Sequence, residues 1–137
     1  MIRAVLDTNV LVSAMISSSG NEALLLMAIN QGLVSPCLSA EILQEYSDVL
    51  LRPKFNFPQD EVDALLGLLR RRGTYLDSVP PARISPDPGD DKFIACARAA
   101  KAQFLVTGNK KHFPGGQPGG TRVVNAGELL EFITLGL

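Results

Sequence analysis

The chain has 137 residues, 46% of them hydrophobic and 20% charged, with a formal net charge of −1. That length and balance suit one compact domain, residues 1–137, and exclude a disordered or fibrous chain. A net charge so near zero excludes a surface-wide attraction for polyanions, so any nucleic-acid contact has to come from local basic patches or bound cations.

The longest apolar run, Ala23 to Ile29, is too short to cross a bilayer, and Met1-Ile2-Arg3 leads into a short apolar segment broken at Asp7 rather than into a signal peptide. Cys37 and Cys96 sit in separate apolar segments without CxxC spacing. They are expected to be buried free thiols, which points to the cytoplasm.

Short β-rich runs alternate with longer helical patterns, the order expected of a parallel sheet with helices on its faces. Arg3 to Asp7 is a predicted strand, too apolar to be half exposed. Asn9 to Ser17 and Asn21 to Gln31 are predicted helices, the second ended by Gly32, and Leu33 to Leu38 is a second strand. Ser39 caps a helix reaching about Leu51, before Pro53. Pro58 to Arg72 is a helix with Val62, Leu65, Leu66 and Leu69 at helical spacing. Arg70-Arg71-Arg72 suit its C-terminal dipole and Gly73 is the stop.

Thr74 to Val79 is a short strand before Pro80-Pro81. Asp87 to Ala102 is helical, Gln103 to Thr107 and Arg122 to Val124 are strands, and a last helix runs from about Asn125 to Leu135. Between those last two strands "PGGQPGG", Pro114 to Gly120, has the composition of a mobile connection.

In open parallel sheets, ligands bind beyond the carboxyl ends of the strands. "AVLDTN" brings Asp7 to that edge, and "FLVTGN" brings Thr107 and Asn109. Asn9 can cap the helix that follows, which leaves Asp7 without a structural duty, and a carboxylate at the end of a buried strand is costly to ionise without a positive partner.

On the helix after Ser39, each residue turns about 100° around the axis, so Ile42, Leu43, Tyr46, Val49 and Leu50 share a stripe about 120° wide. Glu45 falls about 40° beyond its edge, where it can look into a cleft, whereas Glu41 lies about 80° out, in the first turn, and suits the helix dipole. In "SPDPGDDKFIACA", Asp87-Pro88 fits an N-cap followed by a first-turn proline, and Asp90 stands at the capping-box position. Asp91 has no such duty.

Asp7, Glu45 and Asp91 are thus candidate oxygen ligands for a hard cation, Mg²⁺ or Mn²⁺. Such a cation polarises a phosphate, activates water and offsets repulsion between an acidic site and an anionic substrate. One histidine and no paired cysteines exclude a zinc set. There is no Gly-x-Ser-x-Gly elbow, Walker loop or dinucleotide fingerprint. "DTNVL" departs from the nucleophile motif of haloacid-dehalogenase-type phosphatases, with Asn9 for its second Asp and Leu11 for its Thr. A receiver-type switch domain needs a phosphoacceptor Asp on a middle strand, and only Asp77 in "TYLDSV" offers one.

"VLDTNVLVSA", "LSAEILQEYSDVLLRPKF" and "SPDPGDDKFIACARAAKAQFLVTGNKKHF", in this order and spacing, resemble the PIN-domain family of metal-dependent ribonucleases. The similarity is greatest to the small bacterial and archaeal VapC-like subgroup, the toxins of toxin-antitoxin pairs. The resemblance implies a three-layer α/β/α domain with a central parallel sheet, related to the 5′-nuclease fold. It implies a site of Asp7, Glu45 and Asp91, with Asn109 where some members carry a fourth acid and His112 where others carry theirs. Asn9, Thr107 and Asp90 would orient those groups, and Lys92, Lys110 and Lys111 would contact the RNA backbone.

It also implies an RNA substrate cut to 5′-phosphate and 3′-hydroxyl ends, a cognate antitoxin and a homodimer, with no membrane partner. The alternatives are a non-catalytic RNA- or metal-binding module, because the fourth acid is missing, and an RNA-processing nuclease without an antitoxin.

Overall fold

The apolar runs named above pair into a single sheet whose middle is inaccessible to water. The computed structural model describes residues 1–80, 88–113 and 120–136, so the expected cap Asp87 and nearly all of "PGGQPGG" lie outside the described residues. Five parallel strands, β1 (Ile2–Leu6), β2 (Val34–Ser39), β3 (Thr74–Leu76), β4 (Phe104–Val106) and β5 (Arg122–Val124), lie in the order β3-β2-β1-β4-β5. Ala4, Val5, Leu6, Leu105 and Val106 have no exposed surface, as central strands covered on both faces require.

The described helices are α1 (Thr8–Ile16), α2 (Asn21–Asn30), α3 (Ala40–Leu50), α4 (Gln59–Arg72), α5 (Asp91–Ala100) and α6 (Ala126–Leu135). From β1 to β3 the chain steps one way along the sheet through α1–α4, then returns to β4 through α5. Right-handed crossovers therefore put α5 on the face opposite α1–α4. α5 packs across β1, β2, β3 and β4, while α2 meets β2, α4 and α6. The result is the expected three-layer α/β/α arrangement around a parallel sheet.

Local chemistry explains most boundaries. Ser39 accepts a hydrogen bond from the Ile42 amide and starts α3. Asn125 and Glu128 form a reciprocal capping box at the start of α6. Two expectations shift: β3 ends at Leu76 rather than Val79, and the predicted 87–102 helix begins as a 3-10 turn over Pro88–Asp90 before α5. Gly73 ends α4 as expected, in an extended conformation.

Cys37 and Cys96 are buried free thiols, pushed up by burial to about 11 and about 12. Among the described residues no single helix is long and apolar enough to cross a membrane.

One contact fixes the functional edge. The buried Tyr46 hydroxyl of α3 donates to the Leu6 carbonyl at 2.5 Å, locking α3 to the last residue of β1. Tyr46→Phe leaves that carbonyl without its donor, and we expect a loss of about 1–2 kcal/mol, seen as a fall in Tm of about 4–8 °C in a thermal melt. An unchanged Tm would mean that apolar packing alone holds α3 in place.

Candidate functional site

The direction of travel along the sheet reverses between β1 and β4, the point at which open parallel sheets bind ligands beyond the carboxyl ends of their strands. Their register pairs Leu6 with Val106, so Asp7 and Thr107 emerge side by side. The Asp7 amide donates to the Val106 carbonyl at 2.8 Å, and the fully buried Thr107 hydroxyl donates to Asp7 Oδ2 at 2.7 Å.

Asp7 is only 5% exposed. It stands at the N-cap position of α1 without a side-chain capping bond. Burial pushes its carboxyl up from the ordinary value. The Thr107 hydrogen bond, the His112 charge and the Asn9 amide oppose that rise, and Glu45 adds to it. Asn9 does not cap α1, which already begins at Thr8. Its Oδ1 instead accepts from the Gly108 amide at 3.1 Å, tying α1 to the loop after β4.

Glu45 leaves α3 half-buried at the stripe's edge, as the helical angle predicts. The Thr8 hydroxyl donates to its Oε2, and Lys92 Nζ donates to its Oε1 at 2.7 Å. The same ammonium donates to the Gly89 carbonyl at 2.6 Å. Lys92, expected on the RNA backbone, is thus turned inward onto an acid.

Asp90, expected as a capping-box acid, makes no side-chain capping bond, because α5 starts one residue after it. It is buried instead, with Oδ2 3.9 Å from His112 Nδ1, and that nitrogen lies 3.8 Å from Asp7 Oδ2. Asp91, the first residue of α5, is half-buried.

The histidine is oriented by Asn109. Asn109 Oδ1 accepts from the Lys111 amide at 3.2 Å, so its Nδ2 is the atom that donates to His112 Nε2, also at 3.2 Å. Nδ1 therefore carries the proton in the neutral ring and faces the two aspartates. Asn109 is exposed and serves as the holder of His112.

Lys110 pairs with Glu128 at 2.5 Å, and together with the Asn125 amide it holds that carboxyl below the usual carboxylate range. Lys111 is exposed. Asp77 follows edge strand β3, two strands from β1, and is exposed, far from the middle-strand position a phosphoacceptor needs. Three participants escape sequence reasoning: the Thr8 hydroxyl, Glu128 at the start of α6, and the reach of His112 to both Asp7 and Asp90. For Thr8 the signal was its place inside "DTN", one residue after the key acid.

Residues 3–111 match a family described as PIN domain, PIN_3. The chain belongs to the PIN domain family. None of the curated proteins matches it. PIN domains are generally nucleases and generally use divalent metals. In this PIN domain the matched span takes in Asp7, Glu45, Asp90, Asp91 and Asn109, and it stops one residue short of His112.

The donor chemistry fits a hard divalent ion, since the acids offer only oxygen and the desolvation of the Asp7 carboxylate outweighs the groups that favour its charge. As the side chains stand, no three His, Cys, Asp or Glu among the described residues converge to hold an ion. Glu45 is engaged by Thr8 and Lys92.

Proposed function

We propose that this PIN domain is a Mg²⁺- or Mn²⁺-dependent endoribonuclease, the toxin of a cytoplasmic toxin-antitoxin pair, working as a homodimer and neutralised by a cognate antitoxin. One observation supports the nuclease reading above the others. A buried carboxylate, Asp7, stands at the switch point of the sheet with its pKa raised by desolvation, Glu45 of α3 adds to that rise, and Asp90, just before α5, faces the same His112 nitrogen.

Asp7, Glu45 and Asp91 would hold the cation, which when bound supplies Lewis-acid charge to a phosphodiester oxygen. Thr107 fixes one oxygen of Asp7 and leaves the other for the cleft. Asn9 ties α1 to the loop after β4, so the groups that flank Asp7 move as one body. His112 presents its Nδ1 proton to Asp7 and Asp90, which limits repulsion among the acids. Asn109, in place of a fourth acid, favours one cation over two. Lys110 and Lys111 at the rim would meet backbone phosphates, so binding should weaken with salt. Single-stranded RNA suits such a concave site because its backbone can bend into it.

The test is an end-labelled, largely single-stranded RNA incubated with purified protein and Mn²⁺, Mg²⁺ or EDTA, beside Asp91→Asn. Cleavage with either ion and none with EDTA is expected, leaving 5′-phosphate ends, and Asp91→Asn should cut about 10³-fold more slowly. RNA that stays intact with both ions, while calorimetry shows ion binding, would replace the nuclease with a non-catalytic RNA- or metal-binding module. A small neighbouring gene whose product blocks cleavage supports the toxin role. Without one, the RNA-processing nuclease is the better reading. A mass in solution equal to one chain would remove the homodimer.

A further inference from the structure

We propose that Lys92 is the site's own counter-cation: its ammonium occupies Glu45 in the ion-free protein and has to leave before a divalent ion can use that carboxylate. The inference rests on the metal-site reading above and concerns the price of entry to it. Nζ lies 2.7 Å from Glu45 Oε1 and 2.6 Å from the Gly89 carbonyl, and the side chain is only 18% exposed. An ammonium so placed is a hydrogen-bonded ion pair rather than a surface lysine awaiting phosphate.

Its position strengthens the case. Lys92 sits in the first turn of α5, where the helix dipole disfavours a cation. What offsets that cost is acid: Glu45 of α3, with Asp90 and Asp91 beside Lys92 in sequence. The ammonium brings to Glu45 the positive charge that a divalent ion would bring by coordination, and an ion at Oε1 would be repelled by an ammonium 2.7 Å from that oxygen. Metal binding is then an exchange, in which Lys92 swings toward solvent and the ion takes its place. A charge released at the mouth of the site is also well located to meet the anionic substrate.

Lys92→Met keeps the stem and removes the charge. Mn²⁺ titrated calorimetrically into wild type and variant should bind the variant about tenfold more tightly. Without ions the variant should melt lower than wild type, and saturating Mn²⁺ should raise its Tm by more. Lys92→Arg, which keeps the cation, should bind Mn²⁺ no more tightly than wild type. Equal or weaker Mn²⁺ affinity in Lys92→Met would overturn the proposal and leave Lys92 as a clamp between α3 and α5. Loss of RNA binding with Mn²⁺ affinity unchanged would overturn it in favour of a phosphate contact. If neither folded protein takes up Mn²⁺, the metal-site reading itself fails and this inference with it. Should Lys92→Met not fold, Lys92→Gln, whose amide still reaches toward Gly89, carries the same comparison.

Discussion

Asp7→Asn is expected to slow RNA cleavage by about 10³-fold or more while making the ion-free protein more stable, by about 1 kcal/mol or about 3–5 °C in Tm. The two effects share one cause. Asp7 is almost completely buried at the end of β1, and desolvation is the largest influence on its carboxyl, outweighing the Thr107 hydroxyl, the His112 charge and the Asn9 amide. Asparagine keeps the shape and an oxygen that can accept from Thr107, yet it brings no charge to desolvate. What it loses is the anion that would hold a cation.

The pH dependence follows from the direction of that shift. An acid whose folded pKa lies above its unfolded value binds its proton more tightly when folded, so the wild type loses stability as pH rises from the ordinary value of 3.8 through the raised one. Above that window the cost is fully present, and below pH 3.8 it is absent. Thermal melts in EDTA should therefore show the variant ahead of wild type at neutral pH, with the gap closing in acid. A variant less stable at neutral pH would mean that the hydrogen bonds to the charged carboxylate outweigh its desolvation.

The parts of the site that were legible in the sequence are those set by a single element. Asp7 stands out because an apolar run stops at it. Glu45 stands out because the angle around one helix puts it at the edge of the buried stripe, where it is found. Ser39 caps α3 because the pattern around it is entirely local.

What could not be read depends on where distant segments fold back. Whether Asp90 caps a helix or faces a histidine turns on how the 3-10 turn before α5 meets the turn carrying His112, over twenty residues later in the chain. Lys92 could have pointed to solvent, and its choice of Glu45 is a tertiary contact between residues 47 positions apart. Thr8 likewise reaches its acid across 37 positions. The same distinction explains Gly73: a stop after α4 is visible in the sequence, but the reason that only glycine fits there is not, because the sequence carries no sign of what packs beside it.

That reason makes Gly73→Ala the largest stability effect we expect, a loss of about 3 kcal/mol and roughly 10 °C in Tm. The backbone there is extended, with φ −88° and ψ 169°, which any residue adopts, so strain in φ is not the cause. Space is the cause. A methyl group would lie 2.4 Å from the Leu69 carbonyl oxygen and 2.7 Å from that of Pro36, with a Leu38 methyl at 2.9 Å. Two of the three are backbone atoms, one in α4 and one in β2, and neither can rotate aside. Relief requires α4 to lift from the strand, which would also disturb the Ser35 hydroxyl contacts to Arg72 and Thr74 that join β2 to the end of α4 and to β3.

β2 ends at Ser39, the cap of the helix that carries Glu45, so a displaced strand should lower cleavage as well, though less than loss of an acid does. Gly67→Ala is the matched control. It lies inside α4 with nothing within 4 Å of the added carbon, and alanine there should stabilise by about 0.5–1 kcal/mol through helix propensity. Opposite signs at two glycines of one segment, six residues apart, would assign the cost at Gly73 to contact with β2. A loss at both positions would instead mean that α4 tolerates no added carbon for a reason unrelated to that contact.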